Sequence, residues 1–241
     1  MSFNLNQFTY AGRRSFDDYN MIITETPENV GAEKDISFKS VPGRSGDVII
    51  DNGRYFNIEK KYEVTVIAED FEMPLLAKKI NHWLNSVDGY AVLSDTYDPL
   101  YYRLARYVGK VNIEDKLRII GSTTLKFNCK PFKYSFEGQK LISVAKEDAL
   151  INPEGLSSLP EIKISGTGNV TLYINNASYL IEGIDGHIEI IGDPFLARKG
   201  TELQNDKIMF PDPPILAPGE NIITWTGDVT ALEIKPGWCS L

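Results

Sequence analysis

Apolar and polar residues alternate most strictly between Ile58 and Ala68. The even positions are apolar apart from Lys60, and the odd positions are charged or threonine apart from Ile67. A period of two with one polar side is typical of a strand with one buried face. A short apolar run, 48–50, and the dipeptide Asn52-Gly53 precede it, and Asn-Gly favours a tight hairpin. We therefore predict a short strand, a turn and one long strand here.

Helical spacing is convincing in one segment, residues 74–87, where apolar side chains recur every three or four positions. Pro74 suits the first helical position, and Asp88-Gly89 is a natural stop. Strand patterns surround this helix: two short strands in residues 1–30, then strands at 35–41, 90–93, 101–113 and 117–129. One helix among eight or so strands indicates a sheet or barrel with a helix packed on it.

The pattern changes after a weakly periodic segment, and we place a domain boundary between residues 132 and 159, giving domains 1–134 and 135–241. The second domain contains short apolar strands at even spacing, separated by turns such as Gly166–Asn169. Many short, evenly spaced strands predict an antiparallel sandwich or barrel. The chain is therefore expected to be mainly β.

Composition excludes several classes of protein. The 241 residues carry a net charge of −8, which argues against tight nucleic-acid binding, because that binding depends on Lys and Arg at phosphates. No apolar run is long enough for a membrane span, and the first residues do not resemble a secretory signal. Cys129 and Cys239 lie far apart without metal-ligand spacing, so we expect reduced thiols and synthesis in a cytoplasm.

Candidate catalytic chemistry is sparse. His82 and His187 are the two histidines, too few for a His-rich metal site and poorly placed for a triad. The turn Gly43–Asp47 does not match a nucleophile elbow, because its second glycine comes one residue early. Gly166-Thr167-Gly168 lacks the following helix that a phosphate-binding loop needs. We expect no enzyme, no cofactor and no metal site.

Aromatic residues offer candidate binding surfaces. Tyr97 and Tyr101, with two further tyrosines, crowd around Asp98-Pro99. Aromatic clusters are favoured at protein interfaces, although an internal sheet face with the hydroxyls reaching solvent explains this cluster equally well. Trp225 could stack on a sugar, or it could be a core residue of a strand.

Two motifs carry a resemblance to a known family. The first is the Pro42–Asp47 turn, followed by Gly53-Arg54-Tyr55 and the long strand. The second is the C-terminal Pro218–Asn221 turn, followed by a strand and by Pro236-Gly237-Trp238. Together they resemble the distal tail (Dit) proteins of long-tailed bacteriophages. Family members often carry more basic residues after the final Trp, whereas this sequence continues only with Cys239-Ser240-Leu241.

The resemblance implies a fold and a structural role. The fold would be an N-terminal split β-barrel domain with a helix, followed by a β-sandwich like those of galectins and carbohydrate-binding modules. Such proteins form a hexameric ring at the end of the virion tail, between the tail tube protein and the tail-tip lysin or fibre protein. Tape-measure and receptor-binding proteins would be further partners. We expect ring contacts from Arg44, Asp47 and Tyr55, and interface contacts from Tyr97 and Tyr101.

The ring's lumen would pass DNA without binding it, and the acidic charge favours a lumen that repels phosphate. Two other functions remain open from the sequence. One is a soluble carbohydrate-binding module that uses Trp225, and the other is a hydrolase with an unrecognised carboxylate pair.

Overall fold

A computed structural model describes residues 6–68, 72–110, 114–116 and 119–241. The chain divides into two compact units, Met1–Lys133 with Leu241, and Tyr134–Ser240. The predicted strand positions 3, 5, 111–113 and 117–118 lie outside the described residues.

The first unit is a largely antiparallel sheet with two helices and a separate hairpin. Its strands are β1 (Phe8–Tyr10), β2 (Arg13–Arg14), β3 (Met21–Ile23), β4 (Lys34–Lys39), β5 (Val48–Tyr55), β6 (Ile58–Ile67), β7 (Ala91–Asp95), β8 (Tyr101–Tyr107), β9 (Glu114–Lys116) and β10 (Ile120–Ser135), the last of which continues into the second unit. The helices are α1 (Ser15–Tyr19) and α2 (Met73–Asn85). The main sheet has the order β2-β1-β7-β8-β10-β6-β3, with β9 beside β10. Among the described strands, β4 and β5 pair with each other and with no other strand.

The long alternating strand is central to this unit. β6 pairs antiparallel with β10 along its whole length, from Ile58 opposite Cys129 to Ile67 opposite Ile120. Its predicted inner face is buried, and the ring of Tyr62 stacks on Phe8 with centroids 5.0 Å apart. Helix α2 adds Trp83, whose Nε1 donates a hydrogen bond to the carbonyl of Tyr10 (3.1 Å). The predicted helix and strand therefore form the core together.

A second helix appears in residues 1–30, where we predicted only two short strands. Helix α1 begins at Ser15, whose buried Oγ accepts from Phe8 N (3.1 Å) and donates to Met21 O (3.0 Å) and so ties the helix to β1 and β3. It ends at Asn20, which has a φ of +50°. Five residues are too few to show a helical period in a sequence, so this helix could not be found from the pattern.

The second unit is one bent antiparallel sheet. The strands of this sheet are β11 (Ile142–Ser143), β12 (Asp148–Asn152), β13 (Glu161–Ile174), β14 (Ala177–Ile191), β15 (Leu196–Lys199), β16 (Glu202–Leu203) and β17 (Gly219–Lys235). A last short strand, β18 (Cys239–Ser240), pairs with β10 instead, and short 3-10 helices lie at Glu137–Gln139 and Asn205–Lys207. Six of these strands lie in the order β11-β17-β13-β14-β15-β16, and β12 pairs with β17. The predicted mainly β fold is confirmed.

Pairs of predicted short strands are continuous in the structure. β13, β14 and β17 each contain two of them, and the predicted turn at Gly166–Asn169 is wrong, because those residues continue β13 through register shifts. Gly166 is required by close packing: a Cβ there would lie 2.1 Å from the carbonyl oxygen of Asp228. The residues of β13 on both sides of this irregularity, such as Ile164 and Leu172, join one buried core.

Candidate assembly surfaces

The β4–β5 hairpin exposes an apolar face. Phe38 and Ile49 lie directly opposite each other and are 66% and 64% exposed. Ile36, two residues before Phe38, extends the same face, because alternate residues of a strand share a side. Contiguous exposed apolar residues of this kind mark interaction sites. Both strands also have an edge that pairs with no other described strand, and a free edge can accept another strand.

Polar contacts fix the strands of this hairpin near its base. Asp35 accepts from Arg54 Nε (2.7 Å) and Asn52 Nδ2 (2.9 Å), while Asp51 accepts from Gly53 N (2.8 Å) and pairs with Lys34. Hydrogen bonds from Asn52 and Arg54 lower the pKa of Asp35. These polar contacts hold the two strands together at the end of the hairpin away from Phe38 and Ile49.

The predicted ring residues of the first motif lie on or beside this hairpin. Arg44 and Asp47 are exposed in the segment that connects β4 to β5. Gly43 and Gly46 there have φ values of +81° and +84°, which explains the two glycines of the motif. Tyr55 ends β5, and its ring meets the ring of Phe132 edge-on, with centroids 5.7 Å apart. The structure thus places two of these residues at the tip and one at the base.

A buried carboxylate, Asp95 at the end of β7, binds side chains at the start of β6. Asp95 accepts from Lys60 Nζ (2.6 Å), Tyr62 OH (2.7 Å), and the backbone N–H groups of Tyr97 and Asp98 (both 3.0 Å). Burial by itself would raise the pKa of Asp95, but the charge and hydrogen bond of Lys60 and the other donors hold that pKa below its usual value. Asp95 is therefore an ionised and fully hydrogen-bonded carboxylate.

Arg103 lies beside this carboxylate with different partners. It is 8% exposed, and its guanidinium donates to the carbonyls of Pro131 (2.8 Å) and Val30 (3.4 Å). No ion pair among the described side chains includes Arg103, whereas Lys60 pairs with Asp95 and Lys133 with Asp98. Burial lowers the pKa of Arg103.

A cavity of about 400 Å³ opens beside these groups. Its wall includes the loop 26–30, and its charged lining residues are Glu28, Lys60, Asp95, Asp98, Arg103 and Lys133. The cavity therefore combines three cations with three carboxylates.

The predicted tyrosines lie beside these charged groups. Tyr97 is 39% exposed and lines the cavity. Tyr101 is half-buried at the start of β8, and Lys133 Nζ lies 4.7 Å from the centroid of its ring. The structure brings these two tyrosines together around Asp98 and Lys133, as their spacing suggested. Their role in an interface stays a prediction.

Trp225 belongs to the second unit. It lies on β17 opposite Leu172 and is half-buried against the second core. Sugar stacking needs an open ring face, and this packing covers part of the Trp225 side chain. The role of Trp225 in sugar stacking stays a prediction.

The second motif that carries the resemblance, at the C-terminus, holds the backbone of the second unit. Asn221 is fully buried, and its side-chain amide donates to the carbonyls of Leu150 (3.3 Å), Ala217 (2.9 Å) and Gly219 (3.1 Å). The closing Trp238 packs on Gly138, where a Cβ would lie 2.5 Å from the Trp238 nitrogen. These motif residues thus serve the fold.

Neither thiol forms a disulfide, and both are buried. Burial raises the pKa of Cys129 to about 11, so its thiol is protonated at neutral pH. Among the described residues, no group of three or more His, Cys, Asp or Glu side chains could hold a metal ion. No helix in the same part of the chain is long and apolar enough to cross a membrane.

Solved structures of phage tail proteins share this fold. SPP1 Dit (gp 19.1), presented as a paradigm of the hub adsorption apparatus in phages that infect Gram-positive bacteria, matches with a TM-score of 0.77 and 14% identity over 99% of this chain and 100% of that chain. Chains from the phage p2 baseplate in its activated conformation, with strontium and with calcium, match with TM-scores of 0.50 and 0.53. Their identities are 11% and 10%, over 96% of this chain and 98% of each baseplate chain.

No protein-family model matches the sequence, and no curated protein matches it. The likeness to solved structures extends over both units and over the full length of the SPP1 protein. At these identities a likeness establishes a fold, and this one agrees with the family that the two sequence motifs indicated. The chain has the fold of a phage distal tail protein.

Proposed function

We propose that this protein is a structural component of a phage tail and forms the hub at the tail's distal end. The observation that carries the proposal is the full-length match to the SPP1 Dit protein, in which both units of this chain find counterparts. We further propose that six copies form a ring through their first units, and that the protein has no catalytic role.

The exposed hairpin supports self-assembly. Its apolar face would be covered by a second copy of the chain, and its free edges could pair with a strand of that neighbour. A ring needs head-to-tail contacts between two different surfaces of the same protein. We assign the hairpin face to one side of that contact.

The proposed hub joins the tail tube protein on one side to the tail-tip lysin or fibre protein on the other. Tape-measure and receptor-binding proteins are further proposed neighbours, and DNA would pass through the lumen. The net charge of −8 supports a lumen that repels phosphate. An electropositive lumen in a ring structure would contradict this part of the proposal.

Labelling of intact virions tests the hub assignment. The phage that encodes this chain is incubated with gold-labelled antibody against the purified protein, and a labelled tail-tube antibody serves as the control. We expect gold at the end of the tail remote from the head, with tube label along the tail. Label on the head, or its absence from virions whose tube is labelled, would contradict the proposal.

A further inference from the structure

The cavity beside Arg103 contains a buried cation whose charge the described protein groups do not neutralise by an ion pair. The charges of Asp98 and Asp95 act on Arg103, but neither carboxylate forms an ion pair with it. Both oxygens of Asp95 already accept hydrogen bonds from two donors each. Asp98 is paired with Lys133. Burying a charge without a direct ion pair is costly, so an anion from outside the chain that bonded to the Arg103 guanidinium would stabilise the site.

The geometry of the donor defines the anion. A guanidinium has five N–H groups in a planar fork, and Arg103 uses two of its nitrogens for the Pro131 and Val30 carbonyls. The fork matches the two oxygens of a carboxylate or phosphate. Glu28 and Asp98 also line the cavity, and their charge opposes a phosphate dianion more strongly than a singly charged carboxylate.

The size of the cavity fits a ligand. Its volume of about 400 Å³ falls in the range of about 300–1,000 Å³ that is usual for ligand sites. We propose that this cavity is a binding site for a carboxylate, held by Arg103. The carboxylate comes either from an acidic side chain of a second copy or from a free carboxylic acid. The site does not depend on the proposed tail function.

The test titrates sodium acetate into the full-length protein and follows the Arg103 Nε–H signal by NMR, with sodium chloride at matched ionic strength as the reference. We expect a saturable shift with acetate and none with chloride. Arg103→Lys keeps the charge but loses the fork, so acetate affinity should fall by about tenfold or more. Arg198→Lys, which changes an arginine of the second unit that is paired with Glu189, should leave acetate affinity unchanged.

A purely structural role of Arg103 makes a different prediction. Arg103 would then only hold the Pro131 and Val30 carbonyls, and its substitution would lower stability in a protein that acetate does not affect. Absence of a saturable acetate shift in the folded wild type, or equal acetate affinity in wild type and a folded Arg103→Met variant, would overturn the proposal.

Light scattering in acetate and in chloride identifies the source of the carboxylate. If a second copy supplies it, acetate weakens self-association; if acetate binds without changing self-association, the ligand is a free carboxylic acid. Both results require that acetate binds at Arg103, so both support the proposed carboxylate site.

Discussion

Asp95 is the residue on which the polar interior of the first unit depends. Its carboxylate fixes Lys60 and Tyr62 of β6 and the two backbone N–H groups that begin the following loop. Removing one partner of a buried ion pair lowers stability far more than removing one partner of an exposed pair, because the other charge is left buried without its partner. The structure therefore predicts strong effects from small changes at this position.

The first prediction concerns Asp95→Asn. The variant removes the charge that neutralises Lys60, and we expect a loss of about 3 kcal/mol in the free energy of unfolding at pH 7. Urea denaturation measures it. Asp17→Asn is the control, since its ion pair with Arg14 is exposed and such pairs contribute less than about 1 kcal/mol.

The same carboxylate gives a pH dependence. Because the folded-state pKa of Asp95 is lowered, its stabilisation is fully present above the unfolded pKa, about 3.9, and is lost as the pH falls through the folded pKa. The difference in the free energy of unfolding between wild type and Asp95→Asn should therefore become smaller below about pH 4. A difference that stays constant down to the acid transition would contradict this assignment.

A second prediction concerns Asn221. Its amide satisfies three backbone carbonyls in a fully buried site, so Asn221→Ala leaves buried acceptors without their donor. We expect a loss of about 2 kcal/mol in the free energy of unfolding. Asn176→Ala, at an exposed turn, should change it by less than about 0.5 kcal/mol. Equal stabilities of the two variants would show that the buried amide does not hold the turn.

The sequence contained part of this information. Asn221 stood inside a recognisable motif, although the motif did not say that its amide closes a turn. Lys60 was the one charged residue on the apolar side of the alternating strand, and this exception was the signal of a buried partner. Asp95 and Arg103 gave no signal, because charged residues in strands are usually on solvated faces, and their approach depends on sheet pairing.

The bent strands of the second unit depend on glycine. At Gly166 and Gly227 the backbones of β13 and β17 approach so closely that a Cβ would lie 2.1 Å and 2.3 Å from a carbonyl oxygen of the partner strand. Neither oxygen belongs to a movable side chain. These glycines therefore allow β13 and β17 to stay paired on both sides of the register shifts between them.

A third prediction tests this contact. Gly166→Ala should lower the free energy of unfolding by about 1–3 kcal/mol, because the added methyl overpacks against backbone. Gly155→Ala is the matched control, since a Cβ there meets nothing within 4 Å. Equilibrium denaturation compares the two. An alanine at position 166 as well tolerated as one at position 155 would disprove the close approach.

Periodic elements were predictable, and irregular ones were not. Helix α2 and strand β6 follow their patterns because each buries one face along its length. The segments of β13 and of β17 looked like separate strands, because the glycines between them, Gly166 and Gly168 in β13 and Gly227 in β17, are residues that turns also use. A bulge and a turn have the same composition, and cross-strand pairing decides between them.

At the scale of the whole molecule, the alternation of apolar and polar residues predicts the mainly β fold. It does not predict the exposed apolar surface of the β4–β5 hairpin. The apolar residues of the β4–β5 hairpin follow a strand pattern, but a sequence pattern cannot show that they lie in a sheet of two strands with an exposed face. The exposed pair of Phe38 and Ile49 is therefore the structure's own indication of assembly. The tail-hub role rests on fold likeness, and the hairpin gives it a contact that can be tested.

The central claim is that this hairpin joins copies of the chain into a ring. The double variant Phe38→Ser/Ile49→Ser removes the exposed apolar pair. Leu203→Ser is the control, because Leu203 of the second unit is 66% exposed, as is Phe38. Both variants should keep wild-type stability, since the replaced side chains contact mostly solvent.

The decisive measurement is the molar mass by light scattering over a wide range of protein concentration. We expect wild type and Leu203→Ser to reach six times the 27.0 kDa mass of the chain, and the hairpin variant to stay at one. A wild type that remains a single chain at the highest concentration, or a hairpin variant that assembles as wild type does, would contradict the claim.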